Sequence, residues 1–163
     1  MRYIPEGITF LKRDAYYDLS TTSFTELLIS FAKLVQADIY VLTHTTAPFL
    51  KANSIFQGIK QVVSGEYDSA VSVVKLQEFL WADDKPLNYN LENIPRTQDL
   101  KPIYSETCGL YVYTRDLIIN QKRRVGECPY LVEVSKIEAC DINDKEDFLI
   151  ADAIFNMSKQ YHE

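Results

Sequence analysis

The chain has 163 residues, 47% of them hydrophobic and 25% charged, which is the length of one domain and too apolar for disorder. Lys and Arg number 17 against 23 Asp and Glu, and the formal charge of −6 disfavours general attraction to nucleic acid or anionic lipid. The longest apolar-leaning run without charge, between Asp38 and Lys51, is shorter than the roughly 18 to 20 apolar residues of a membrane span, so nothing here is expected to cross a bilayer. Residues 1–13 lack the apolar region and cleavage site of a secretory signal, so the expected location is cytoplasmic.

From Ser23 the residues Phe24, Leu27, Leu28, Phe31, Leu34 and Val35 recur at helical spacing, and Ser23 with Glu26 forms a capping-box pattern. Ile39–Thr43 (IYVLT) follows as a β-branched and aromatic run that reads as a central parallel strand. Asn53 can cap a second helix, with Ile55, Phe56, Ile59, Val62 and Val63 as its apolar positions and Gly65 as its terminator. Ala70–Val74 (AVSVV) is the next strand. Helix, strand, helix and strand in close succession predict an α/β fold with a mostly parallel, three-layer sheet and right-handed crossovers.

Between Leu76 and Thr107 the periodicity gives way to aromatic residues, prolines and Asp83-Asp84, predicting a protruding insertion over 76–107 within a single domain spanning 1–163. Gly109–Tyr113 and Leu131–Val134 read as further strands. Asp144–Tyr161 reads as a closing helix with Phe148, Ala151, Ile154, Met157 and Tyr161 on one stripe. Cys108, Cys128 and Cys140 are an odd set without C-x-x-C spacing, as expected of reduced thiols.

Ligands of open α/β sheets gather at the carboxyl ends of strands, which draws attention to Thr43-His44-Thr45-Thr46-Ala47-Pro48. The same segment reads equally as a turn whose Thr hydroxyls bond the backbone. Asp141 and Asn143, two residues apart at the end of an extended stretch, could offer oxygens to a hard cation such as Mg²⁺. Alternatively, Asn143 or Asp144 caps the last helix, with Glu146 and Asp147 complementing its dipole. Arg96, Arg123 and Arg124 are the guanidinium candidates for a carboxylate or phosphate. The five glycines form neither a dinucleotide fingerprint nor a P-loop, and no nucleophile–base set can be assembled around His44 or His162.

Taken in order, Arg13, THTTAPF (43–49), DSAVSVV (68–74), IPRTQDLKP (94–102), ETCGLYVY (106–113) and CDINDKEDFLIADAI (140–154) resemble the acylneuraminate cytidylyltransferases. Members of that family, the CMP-sialic acid synthetases and their relatives, show Q-P-T-S-P, S-V-V-S-V, P-R-Q, N-G-A-I-Y and D-I-D-x-x-x-D in the same order. The resemblance implies a nucleotide-sugar transferase fold with a dimerisation arm and a homodimer. It also implies attack of a keto-sugar acid's anomeric hydroxyl on the α-phosphate of CTP, with Mg²⁺ as cofactor and pyrophosphate as leaving group.

By the same resemblance His44 stands at the sugar-contacting Gln, and Thr46 and Pro48 match T-S-P with Ala47 replacing its Ser. Arg96 falls at the Arg of P-R-Q, a partner for the sugar-acid carboxylate. Thr107 and Tyr111 fall at the Asn and Tyr of N-G-A-I-Y. Asp141 falls at the first metal-binding Asp, and Asn143 replaces the second. Asp141 and Arg96 are thus the implied catalytic residues, with His44, Thr46, Arg96, Thr107 and Tyr111 as substrate-binding residues and Asp141 and Asn143 as metal ligands.

The family opens with a Gly-rich basic loop that holds the CTP triphosphate, and no counterpart occurs here; Gly7–Arg13 resembles a segment further downstream. The comparison predicts an amino-terminally truncated domain lacking about two βα units of roughly 30 residues each. Two functional readings follow: a cytidylyltransferase completed by another chain that supplies the amino-terminal half, or a non-catalytic remnant or binding subunit that keeps the sugar-acid pocket and the arm.

Overall fold

The computed structural model describes residues 4–160. Helix α1 (Phe24–Leu34) starts as its sequence predicts, with the Ser23 hydroxyl accepting the Glu26 amide at 3.2 Å, and it buries Leu28 and Ala32. Strand β1 (Ile39–Thr43) follows, then helix α2 (Ala52–Val63) and strand β2 (Ser69–Leu76). The expected Asn53 cap is not used. The N-cap is Lys51, and a carboxylate distant in sequence takes over: Glu138 accepts the Lys51 amide at 3.1 Å and the Ser54 hydroxyl at 2.6 Å.

The chain then forms the short hairpin β3 (Trp81–Ala82) and β4 (Lys85–Pro86), with Asp83 and Asp84 both at positive φ, 48° and 60°. Positive φ at both turn residues is the type I′ geometry that matches the twist of a two-residue hairpin. Phe79, Trp81 and Tyr89 cluster beside it, with ring centroids 4.7 and 6.3 Å from Tyr89. Strand β5 (Ile103–Thr114) is far longer than the predicted Gly109–Tyr113 and takes up the end of the expected insertion. Helix α3 (Arg115–Ile119), strand β6 (Pro129–Glu133) and helix α4 (Lys145–Gln160) complete the order.

The main sheet has four strands in the order β1-β5-β2-β6 and is mixed, which corrects the mostly parallel expectation. Strands β1, β2 and β6 point the same way, but β5 lies between β1 and β2 and is antiparallel to both, leaving β2–β6 as the parallel pair. The arm is the reason: it turns the chain round after β2, so β5 returns along the strand it has just left. β1 consequently lies at a sheet edge, with Val41 42% exposed, not at the centre.

Helices cover both faces, giving the expected three layers. Tyr111 and Tyr113 pack with Leu28, Ala32, Leu117 and Ile118 under α1 and α3. Leu110 and Val112 pack with Val62, Val132 and Val134 under α2. A Cβ at Gly58 would lie 3.2 Å from Val112 Cγ2, so glycine permits the close approach of α2 to the sheet. Of the stripe predicted for α4, Ala151 is buried while Phe148 and Met157 are exposed; Tyr161 lies outside the described residues. Among the described residues no helix is long and apolar enough to cross a membrane.

Candidate functional site

His44 leaves the carboxyl end of β1 and turns back at once, with the Ala47 amide donating to the His44 carbonyl at 3.1 Å. The turn is fastened to the segment before α4 by the Ile142 amide, which donates to the Thr46 carbonyl at 2.9 Å. Two segments nearly a hundred residues apart in the chain therefore meet, bringing His44 and Thr46 together with Asp141 and Asn143. Among the described residues the hydroxyls of Thr45 and Thr46 have no hydrogen-bond partner.

Two buried polar atoms here lack partners, His44 Nε2 and Asp141 Oδ1. Buried polar groups normally find one, and an orphan at a strand's carboxyl end marks a place for a ligand atom. The other Asp141 oxygen accepts from Asn143 Nδ2 at 3.2 Å. Asp144 is the cap of α4, accepting the Glu146 and Asp147 amides at 2.8 and 3.0 Å, and Asp147 reaches back to the Asn143 amide at 3.0 Å. The capping reading thus holds for Asp144, which leaves Asp141 outside the cap. Burial, then the neighbouring Asp147 and Asp141 carboxylates, push the Cys140 thiol up from its ordinary pKa.

The imidazole of His44 sits between two rings, 5.6 Å from Phe24 and 6.5 Å from Tyr111 between centroids. Tyr111 is fully buried in the sheet and its hydroxyl donates to Glu106. Burial, followed by that bond to Glu106, raises its pKa well above the ordinary phenol value, so Tyr111 stays a neutral donor. Burial likewise pushes Tyr113 up to about 12. The Arg124 guanidinium lies over the Tyr111 ring at 3.9 Å and faces Phe24 at 5.5 Å, with Nη2 donating to the Tyr111 hydroxyl at 3.0 Å. Phe24, His44, Tyr111 and Arg124 are therefore one contiguous cluster. It adjoins a largely apolar cleft of about 1000 Å³ between the segment around Arg13, the outer face of α1, and β1 with His44.

Two predicted site residues are occupied differently. Thr107 is buried at an irregularity where β2 and β5 change register between Val71 and Val73, and its hydroxyl lies 2.7 Å from that of Ser72. Ser72 Oγ also accepts the Leu110 amide at 2.9 Å, and Cys108 takes a positive φ of 57° as β5 bulges around it. Arg96 lies beyond the hairpin with its side chain 80% exposed, its fork closed on Asp99 at 2.8 and 3.1 Å. It makes no contact with His44, Tyr111 or Asp141.

No family model matches the chain, and no curated protein matches it. Among solved structures it is similar to the 4-diphosphocytidyl-2C-methyl-D-erythritol synthase of Anaerococcus prevotii, with a TM-score of 0.60 and 12% identity over 83% of this chain and 68% of that one. The chain shares the fold of that synthase. At 12% identity the likeness concerns the fold alone.

Sequence reading missed Glu106 and did not separate Arg124 from the other arginines. The signal was present only as types of residue, since the rings that hold Arg124 come from positions 24 and 111. Among the described residues no group of three or more His, Cys, Asp or Glu could hold a metal ion. Asp141 keeps one orphaned oxygen, and Asn143 turns its amide nitrogen toward the other.

Proposed function

We propose that the chain belongs to a CTP-dependent nucleotidyltransferase that activates a sialic-acid-like keto-sugar acid to its CMP-sugar. The observation that carries this reading is the turn at the carboxyl end of β1, where His44 lines the cleft and packs on Tyr111 while Thr46 is bonded to the segment that carries Asp141. In the reaction the sugar's anomeric oxygen forms a bond to the α-phosphorus of CTP, the bond to the β-phosphate breaks, and pyrophosphate departs as the hydroxyl loses its proton.

His44 Nε2 would face a hydroxyl of the sugar, and the free Thr46 hydroxyl would add a second polar contact. Mg²⁺ would be held by Asp141 and Asn143 and would offset the charge on the phosphates. The triphosphate needs donors that residues 4–160 do not gather in a Gly-rich loop. The arm, with Trp81, Leu87, Leu91 and Ile94 more than half exposed, would form a homodimer contact.

A second reading is a binding subunit without transfer activity, for which Asn143, standing where the resembled family has its second metal-binding Asp, leaves one carboxylate fewer. Calorimetric titration with CTP and Mg²⁺, followed by a pyrophosphate-release assay with a panel of sugar acids, separates the two. Pyrophosphate release that Asp141→Ala abolishes supports the enzyme. Sugar-acid binding without CTP binding or turnover supports the binding subunit, and no binding of either ligand contradicts both.

A further inference from the structure

The arginines differ in how fully their donors are engaged. Arg13 pairs with Asp18, Arg96 closes its fork on Asp99, and Arg123 binds Glu127 at 2.6 Å and Gln121 at 2.8 Å. Arg115 is turned inward onto the Ala32 carbonyl and the Tyr40 hydroxyl. Among the described arginines, Arg124 is the one whose guanidinium is stacked on aromatic rings. The Tyr111 ring lies under it, Phe24 faces it, and one hydrogen bond fixes Nη2, while Nε and Nη1 make none. Its carboxylate neighbour, Glu106, stands at 3.8 Å, beyond hydrogen-bond reach, and is itself engaged by the Tyr111 hydroxyl.

A guanidinium stacked on an aromatic face loses little rotamer freedom when it binds, and a planar fork with free edges matches a planar carboxylate. We infer that Arg124, held by Tyr111 and Phe24, is the anchor for the carboxylate of an acidic ligand, and that Glu106 beside it accepts hydrogen bonds from the same ligand's hydroxyl groups. The ligand class is therefore a small polyhydroxylated carboxylic acid. A carboxylate carries one negative charge and tolerates Glu106 nearby, whereas a doubly charged phosphate meets stronger repulsion at that distance. That the acid is a keto-sugar acid rests on the function proposed above; that Arg124 rather than Arg96 binds its charge rests on the geometry here.

The loop that carries Arg124 is fixed independently of any ligand. Asp68 accepts the amides of Glu127 and Cys128 at 2.8 and 2.9 Å, and a Cβ at Gly126 would come within 2.2 Å of the Asp68 carboxyl. The guanidinium is thus presented by a braced turn at the edge of the His44 cluster.

The test is calorimetric titration of the whole chain with N-acetylneuraminate, its methyl ester and inorganic phosphate, each variant first checked by thermal melting. Arg124→Lys keeps the charge and the aliphatic stem but loses the fork, and should weaken the acid by about tenfold, as should esterification of the carboxylate in the wild-type chain. Arg96→Ala should leave affinity within about twofold, as expected for an exposed ion pair. Glu106→Ala should weaken the acid severalfold by removing the acceptor for its hydroxyl groups while leaving the affinity for acetate, which has none, unchanged, a split that a purely structural role for the cluster would not produce. Acid binding that survives Arg124→Lys, or that Arg96→Ala abolishes, overturns the inference alone. Binding of phosphate but not the acid overturns the carboxylate assignment, and binding of neither overturns it together with the proposed function.

Discussion

Asp68 and Glu138 show how single carboxylates brace the loops around the site. Asp68 accepts two amides and the Ser69 hydroxyl, and Glu138 accepts the Lys51 amide and the Ser54 hydroxyl with Lys51 Nζ at 3.6 Å. Burial opposes charge on both, but the hydrogen bonds outweigh it and hold each below the usual carboxylate range. A folded pKa below the unfolded one stabilises the protein above the unfolded value, about 4, and that stabilisation is lost as the pH falls through the folded value. Urea melts at pH 7 should therefore show Asp68→Asn and Glu138→Gln each less stable by about 1–2 kcal/mol, with the difference from wild type shrinking toward pH 3. An unchanged difference across that range would contradict the linkage. Neither role was legible in the sequence, because the donors lie 59 and 87 positions away. His44, Tyr111 and Asp141 were legible as candidates; that Phe24 and Arg124 form one cluster with His44 and Tyr111 was not, since a guanidinium's partners are set by packing.

At the scale of elements, short-range signals proved reliable and pairing did not. The Ser23 cap, the bounds of β1 and the existence of α2 follow from local spacing and composition. Whether a β-branched run such as IYVLT is central or at an edge depends on a partner strand that local pattern does not specify. β5 was foreshortened because residues 103–107 were counted with the insertion; the strand runs through Gly109, where Ser72 fills the irregularity and accepts the Leu110 amide. Ser72→Ala should leave that buried amide unpaired and cost about 1–3 kcal/mol in a denaturant melt. A loss below a few tenths would mean that the bulge does not depend on the hydroxyl. In the arm, Asp84→Gly removes the steric cost of a positive φ and should stabilise the hairpin by about 0.5–1 kcal/mol, read as slower amide exchange at Leu87, whose amide donates to Leu80 at 2.7 Å.

Over the whole molecule, the arm and α4 are among the places with exposed apolar surface, and on α4 Phe148, Leu149, Ile150 and Met157 are each more than half exposed. Patches of this kind are usually covered in an assembly, and the arm carries an aromatic cluster of Phe79, Trp81 and Tyr89. Sedimentation of the wild-type chain at micromolar concentration should show a dimer that Trp81→Ser weakens. A monomer would contradict the role of the arm. The central claim is narrower: the carboxyl end of β1, around His44, is where an acidic sugar binds. The chain has two histidines, so the His44 imidazole can be assigned by comparison with His44→Gln. Titration with N-acetylneuraminate should shift the His44 resonances in step with binding. Saturating sugar acid that moves neither imidazole would contradict the account.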